Sequence, residues 1–302
     1  MNFIKKWYTY QKERFPVLIY GTYIFAIVFA TFCFANHFAK NSYYDKNIMN
    51  IVAPGPYQIN YYKLIPMFIV GFLQFLMVRI VDEFKDYEED CKYRPYRPVP
   101  RGLVTLKELK ILFIVCAILQ VLVTFFVNSR GVILLLAVWL FFAIMSKGFF
   151  MKKFLEKHIL VEVFFDELLM PIVVFYLSSF VYFDLSNVWK LLLMSYIISW
   201  IVEIARKVRC KDDEENGVKT YTAVFGIPKA MLILFILETI LMLIHTYILG
   251  KNNIKLTLIP YIIANATNLI FAIKQNKKSA KTTELTANIY VMLCYFSLIT
   301  LI

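Results

Sequence analysis

Nine stretches of the chain are apolar over roughly the length a helix needs to cross a bilayer. They lie near residues 16–37, 62–81, 110–128, 131–147, 158–181, 188–205, 229–249, 255–273 and 284–302. At about 1.5 Å per residue, roughly 20 residues cover the hydrocarbon core. Polar residues inside these stretches are isolated, among them Gln74, Gln120, Glu238 and Asn265. Between the stretches the chain turns abruptly to charge clusters and proline turns. The pattern predicts an all-α polytopic membrane protein with nine transmembrane helices, built as a single domain over residues 1–302. No internal repeat is visible and no linker sets off a soluble domain. The first stretch is long, follows a charged segment and lacks a small-residue cleavage site, so it reads as a span and not as a cleaved signal.

Composition agrees. The chain is 60% hydrophobic and 18% charged, with a mean hydropathy of +0.63, where a soluble chain is nearer half apolar and a quarter charged. Five cysteines form no C-x-x-C pair and three histidines lie far apart, which excludes zinc-finger spacing and gives no disulfide framework. A net charge of +12 would suit a nucleic-acid partner, but its distribution argues otherwise. Nine spans put the termini on opposite sides. Of the 33 Lys and Arg, all but Lys40, Lys46, Lys63, Arg130, Lys190, Lys251 and Lys255 then fall on the N-terminal side. Positive residues are retained in the cytoplasm, so the N-terminus and the large loops are expected inside. The charge is topology, and no nucleic-acid partner is expected.

Two of these loops carry chemistry. After the second stretch comes Asp82-Glu83-Phe84-Lys85-Asp86-Tyr87-Glu88-Glu89-Asp90. On a continued helix Asp82, Glu83, Asp86 and Asp90 fall within about 100° of arc. Carboxylates so placed repel one another unless a cation sits among them. Oxygen-only ligands suit Mg²⁺, which keeps waters and bridges carboxylates to substrate phosphates. The alternative is a solvated acidic helix end facing basic neighbours. Next comes Arg94-Pro95-Tyr96-Arg97-Pro98-Val99-Pro100-Arg101-Gly102. Its prolines forbid a helix and stiffen the turn, and Arg94, Arg97 and Arg101 can grip phosphate oxygens with their forked donors. A positive-inside loop touching lipid headgroups would not explain arginines directly after a carboxylate cluster. Together the groups describe a diphosphate site.

The second loop, Glu203-Ile204-Ala205-Arg206-Lys207-Val208-Arg209-Cys210-Lys211-Asp212-Asp213-Glu214-Glu215-Asn216-Gly217, follows the sixth stretch on the same side. On a continued helix Glu203, Arg206, Lys207, Asp213 and Glu214 share a face. Mixed charges of this kind most often form an ion-pair network. Taken alone the signal is weak, and its value comes from the pairing with the first loop.

These residues resemble the UbiA superfamily of intramembrane prenyltransferases across nearly the whole chain. The family's first motif, Asn-Asp-x-x-Asp-x-x-x-Asp, is matched by Asp82-Glu83-x-x-Asp86-x-x-x-Asp90 with two departures at its start, and its Arg-Pro element by Arg97-Pro98-Val99-Pro100-Arg101-Gly102. The second motif fits less well. Its last Asp, four residues before a Gly, corresponds to Asp213 and Gly217, but the usually acidic positions four and seven earlier are Arg209 and Arg206. Either Glu203 or Glu214 supplies a displaced ligand, or arginine takes over charge that a second Mg²⁺ would neutralise. The second half resembles a less characterised bacterial branch of the family.

The resemblance implies helices around a lipid-facing chamber with a cap of cytoplasmic loops, in a bacterial inner membrane. Mg²⁺ would be held by Asp82, Glu83, Asp86, Asp90, Glu203 and Asp213, with Asp86, Asp90 and Asp213 as the catalytic set. The partners would be a polyprenyl diphosphate donor and a lipophilic, aromatic acceptor. Its diphosphate would meet Arg94, Arg97, Arg101, Arg206, Lys207 and Arg209, and by analogy Lys147 at the end of the fourth stretch, although Lys147 reads equally well as a snorkelling lysine. Asp166 and Glu214 are further chamber candidates. Glu238, near the middle of a span, is expected to be a hydrogen-bonded packing residue, because a charge there costs about 2.5–3.5 kcal/mol on insertion scales. Two other readings stay open: cyclisation of the polyprenyl diphosphate without an acceptor, and transport. Transport predicts polar or broken helices at midplane, and arginines beside the acidic rim would repel a passing cation.

Overall fold

The computed structural model describes residues 2–49, 57–155, 157–182, 184–214 and 219–302, the side chains of 45–49 excepted. Gly217, one half of the Asp213/Gly217 match, lies outside the described residues, as do Glu215 and the side chain of Lys46.

Every regular element among the described residues is helical. In chain order the α-helices are α1 (Phe3–Arg14), α2 (Val17–Met49), α3 (Leu64–Lys85), α4 (Tyr87–Tyr93), α5 (Leu106–Val127), α6 (Gly131–Ser146), α7 (Lys152–Leu155), α8 (Ile159–Asp166), α9 (Leu169–Ser178), α10 (Leu185–Arg206), α11 (Tyr221–Phe225), α12 (Ile227–Leu249), α13 (Ile254–Lys274) and α14 (Lys277–Phe296). Seven helical segments among the described residues, those of α2, α3, α5, α10, α12, α13 and α14, are long and apolar enough to cross a membrane, and the chain is an integral, multi-pass membrane protein.

The expectation of nine full spans is met only in part. The stretch 131–147 forms α6, which is shorter, and the stretch 158–181 is not one helix but two, α8 and α9, parted at Glu167 and Leu168. Pro171 explains the break. It has no N–H to return to the carbonyl four residues earlier, and its ring is tolerated only in the first turn of a helix, where α9 places it. The break leaves Asp166 and Glu167 at a helix junction inside the protein.

Each long element packs on the next in chain order: α2 on α3, α3 on α5, α5 on α6, α6 on α9, α9 on α10, α10 on α12, α12 on α13 and α13 on α14. Helix α14 returns to α2 and closes the ring. Of the seven long apolar helices α10 is the most enclosed, with Leu191, Met194, Ile198, Ile201 and Ile204 buried. Helices α5, α12 and α13 instead turn Leu119, Phe126, Leu243, Ile259 and Ile262 outward, an apolar surface suited to lipid. Glu238, inside the ring, is hydrogen-bonded. Asn268 donates to Glu238 at 2.8 Å and the Tyr290 hydroxyl to the Glu238 carbonyl at 3.2 Å, the packing role expected for that residue.

Helix α1 is too short and too polar to span and lies against the end where α3 finishes. Tyr10 is buried there with Ile80, Val99, Val104 and Leu109. Lys6 meets Glu108, at 2.5 Å, in the capping box that Thr105 and Glu108 make at the start of α5. The proline-rich turn 94–105 is therefore a packed element. It is closed by the Leu103 N–H on the Pro98 carbonyl at 2.8 Å, and Gly102 supplies the positive φ of 75° that the reversal requires.

Candidate functional site

A cavity of about 700 Å³ opens where α3 and α10 end. Its mouth gathers charges from four segments: Asp82 and Asp86 from α3 and its junction with α4, Arg94 and Arg97 from the proline turn, Asp166 and Glu167 from the α8–α9 break, and Glu203, Arg206, Lys207, Arg209 and Asp213 from the end of α10 and the segment after it. Phe75, Val78, Met145, Leu169, Met170 and Val173 make the apolar part of the wall.

Helical register explains how the first acidic loop divides. The backbone stays nearly helical through the α3–α4 junction, with the Asp86 N–H on the Asp82 carbonyl at 2.9 Å and the Asp90 N–H on the Asp86 carbonyl at 2.8 Å. Asp82 and Asp86 stand one turn apart on the cavity wall. The Asp82 side chain is 40% exposed and lies 3.5 Å from Arg79, while Asp86 makes no ion pair among the described residues. Glu83 and Asp90 are not on that wall. Their side chains are 1% and 2% exposed and sit in a buried ion cluster. Glu83 takes the Arg14 Nε and, at 3.1 Å, Arg79. Asp90 takes Arg97 at 2.6 Å and Arg94 at 3.2 Å, with Arg14 at 3.8 Å. Of the four carboxylates the spacing groups together, two face the cavity and two are neutralised by arginine behind it.

The second loop divides as well. Glu203 pairs with Arg206 and with Lys207, the latter at 2.6 Å, so the mixed-charge spacing does form an ion-pair network on the wall. Asp213 and Glu214 do not join it. Asp213 lines the cavity but is held by Lys277 of α14 at 2.7 Å, and Glu214 accepts from the Thr220 and Thr222 hydroxyls at 2.7 and 2.8 Å. Arg209 reaches Glu284 at 3.9 Å. Beside this network burial, and then the nearby Glu203 carboxylate, push the Tyr221 phenol above its ordinary range, so it keeps its proton.

Two predicted diphosphate contacts sit elsewhere. Arg101 is paired with Glu13 of α1 at 2.9 Å, outside the cavity wall. Lys147 lines a separate shallow depression with Phe150, Met151 and Phe154. The cause is local: Gly148, Phe149 and Phe150 all take positive φ and turn the chain sharply after α6. Lys152 faces the cavity instead. Sequence reasoning also missed Arg14, Arg79, Lys85 and Glu162. In the sequence Arg14, Arg79 and Lys85 read only as loop charge, and Glu162 lies inside the apolar stretch 158–181; in the fold Lys85 stands 3.9 Å from Asp166. No short-range signal links Arg14 to residues about 70 positions away.

Among the described residues no three carboxylate, cysteine or histidine groups converge into a ready metal cluster. The donor chemistry nonetheless fits Mg²⁺, which is commonly held by one or two carboxylates together with substrate phosphates. Asp82 and Asp86 are oxygen donors on the wall, partly open, and Arg94 and Arg97 line the same cavity.

No curated protein matches the chain in sequence. Two solved structures share its fold. One is of digeranylgeranylglyceryl phosphate synthase in membranes, with a TM-score of 0.60 and 20% identity over 98% of this chain and 99% of that one. The other is the apo structure of a UbiA homolog from Aeropyrum pernix K1, with a TM-score of 0.59 and 11% identity over 88% of this chain and 94% of that one. At these identities they speak for the fold alone. The model of the UbiA prenyltransferase family matches residues 48–295, most of the length, and to that family this chain belongs.

Proposed function

We propose that the protein transfers a polyprenyl group, inside the membrane, from a polyprenyl diphosphate to a lipophilic acceptor, an aromatic one in the first instance, and releases pyrophosphate. The observation that carries this reading is the cavity: a mouth of carboxylates and arginines joined to an apolar wall, which matches a ligand with a diphosphate head and a hydrocarbon tail. The charged mouth lies on the cytoplasmic side, with the N-terminus, in a bacterial inner membrane, and the proline turn with α4, α7 and α11 forms its cap.

Arg94, Arg97, Arg206 and Arg209 bind the diphosphate oxygens and favour charge that grows on the bridging oxygen as its bond to carbon breaks. Asp82 and Asp86 would hold Mg²⁺, with Asp213 of the same cavity lining as a further candidate. When bound, the ion neutralises diphosphate charge as a Lewis acid. The electron pair of the breaking C–O bond leaves on pyrophosphate. The acceptor nucleophile forms the new bond to that carbon and gives up a proton, for which Asp166 and Glu167 at the α8–α9 break, on the cavity wall, are candidate acceptors. The apolar wall keeps water from the carbocation.

The test is incubation of purified protein with geranyl, farnesyl and geranylgeranyl diphosphates and Mg²⁺. Pyrophosphate released only with an aromatic acceptor, stopped by EDTA and restored by Mg²⁺, is the expected result. A cyclic hydrocarbon formed without acceptor would replace transfer by cyclisation, and no pyrophosphate from any donor would reject both. Arg97→Ala is expected to raise the donor KM by roughly 10-fold or more, since a hydrogen bond from a charged group is worth about 1.5–3 kcal/mol. Arg94 and Arg14 remain to neutralise Asp90, so the fold should persist. An unchanged donor KM would confine Arg97 to its ion pair.

A further inference from the structure

Deep on the same wall, α3 carries one polar residue among apolar ones. Gln74 is two helical turns below Asp82, about 12 Å along the axis. It is 1% exposed and lines the cavity beside Phe75 and Val78. The orientation of its amide follows from its neighbours. The indole N–H of Trp139 can only donate, and it donates to Gln120 Oε1 at 2.9 Å. That leaves the Gln120 amide N–H₂ to donate to the Val70 carbonyl and to Gln74 Oε1, both at 3.1 Å. Turning either amide over would set donor against donor. Gln74 Oε1 is therefore committed, and Gln74 Nε2 is left a buried donor with no partner among the described residues.

An unpaired amide N–H₂ in an apolar wall is costly, and a hydrocarbon tail cannot relieve it. We infer that Gln74 Nε2 is a specificity-determining donor that anchors a hydrogen-bond-accepting oxygen of the lipophilic acceptor in the apolar depth of the chamber. This rests on the prenyl-transfer reading for the identity of the ligand, but not for the existence of the oxygen site. The Trp139–Gln120–Gln74 relay holds the donor in place, so an acceptor carrying a carbonyl or hydroxyl oxygen is selected over a hydrocarbon of the same shape.

The experiment compares two probes of matched shape, 2-acetylnaphthalene and 2-isopropenylnaphthalene, binding to purified full-length protein in one detergent. Wild type is compared with Gln74→Met, which keeps length and loses the donor. Partition into micelles is common to both proteins and cancels in the ratio of affinities. Wild type is expected to favour the ketone roughly 10-fold relative to Gln74→Met, the equivalent of one buried hydrogen bond. A ketone preference that survives in Gln74→Met, or that is lacking in wild type, overturns the inference. Should the variant not fold, the infrared carbonyl stretch of 2-acetylnaphthalene bound to wild type decides instead. A fall in frequency from its position in empty micelles supports the donor, and no fall rejects it. Geranylgeranyl diphosphate binding with Mg²⁺ is measured on the same samples. If the diphosphate does not bind wild type while the ketone preference still depends on Gln74, the oxygen site stands and the transfer reading falls. If the diphosphate binds and the preference ignores Gln74, the reverse holds.

Discussion

Asp86→Ala is expected to purify in wild-type yield and to release pyrophosphate about 10²–10³-fold more slowly, the range found when one group aimed at transition-state charge is removed. The yield follows from placement. Asp86 ends α3, sits half-buried on the cavity wall and makes no ion pair among the described residues, so its loss opens no uncompensated charge. Its charge is instead unspent in the resting protein, and so available to a cation that arrives with the diphosphate. Asp82→Ala should behave alike, and its cost to the fold should be small, since Arg79, 3.5 Å away, keeps Glu83 as its partner. Both variants should need more Mg²⁺ for half-maximal rate, which separates ligand loss from a general loss of donor binding. Full activity in Asp86→Ala would remove the carboxylate from the reaction.

The contrast between Asp86 and its neighbours shows what sequence can and cannot reveal. Apolar runs locate the spans because a bilayer imposes one length on every helix that crosses it. The ion pairs of Glu203 with Arg206 and Lys207 are legible because helical spacing by itself brings three and four residues together. The division of the first acidic loop is not legible. Spacing puts Asp82, Glu83, Asp86 and Asp90 on one arc but is silent on which cation approaches each edge of that arc. The cation that decides is Arg14, delivered by a helix that the sequence marks only as a charged lead-in. The division of 158–181 was open to reading, since Pro171 lies within the stretch, but uniform hydrophobicity hides a break whose partners are tertiary. Lys147 and Lys152 exchange places for a related reason: three positive φ angles in succession are a property of the folded turn and leave no periodic trace.

Arg14→Ala is the substitution expected to cost the most stability. The Arg14 side chain is 8% exposed and bridges two carboxylates that are themselves almost fully enclosed, pairing with Glu83 and standing 3.8 Å from Asp90. Taking one partner from a buried ion pair leaves an uncompensated charge and costs about 3–5 kcal/mol, several times the worth of an exposed pair. Arg79 remains on Glu83 at 3.1 Å, and Arg94 and Arg97 remain on Asp90, which sets the lower end of that range. Helix α1 should then be held by Tyr10 in its apolar seat, by Lys6 on Glu108 and by the half-exposed pair of Glu13 with Arg101, and the proline turn that presents Arg94 and Arg97 should loosen with it. The measurements are the thermal midpoint and the emission of Trp7, which packs edge-on against Tyr10 at 5.8 Å and reports the docking of α1. Glu83→Ala should lower the midpoint too, whereas Arg14→Met with Glu83→Met should recover much of the loss, because it removes both buried charges and returns apolar volume. If the double variant were no more stable than the sum of the two single ones allows, the pair would not be coupled, and the enclosed carboxylates would have to draw their stability from Arg79, Arg94 and Arg97 alone.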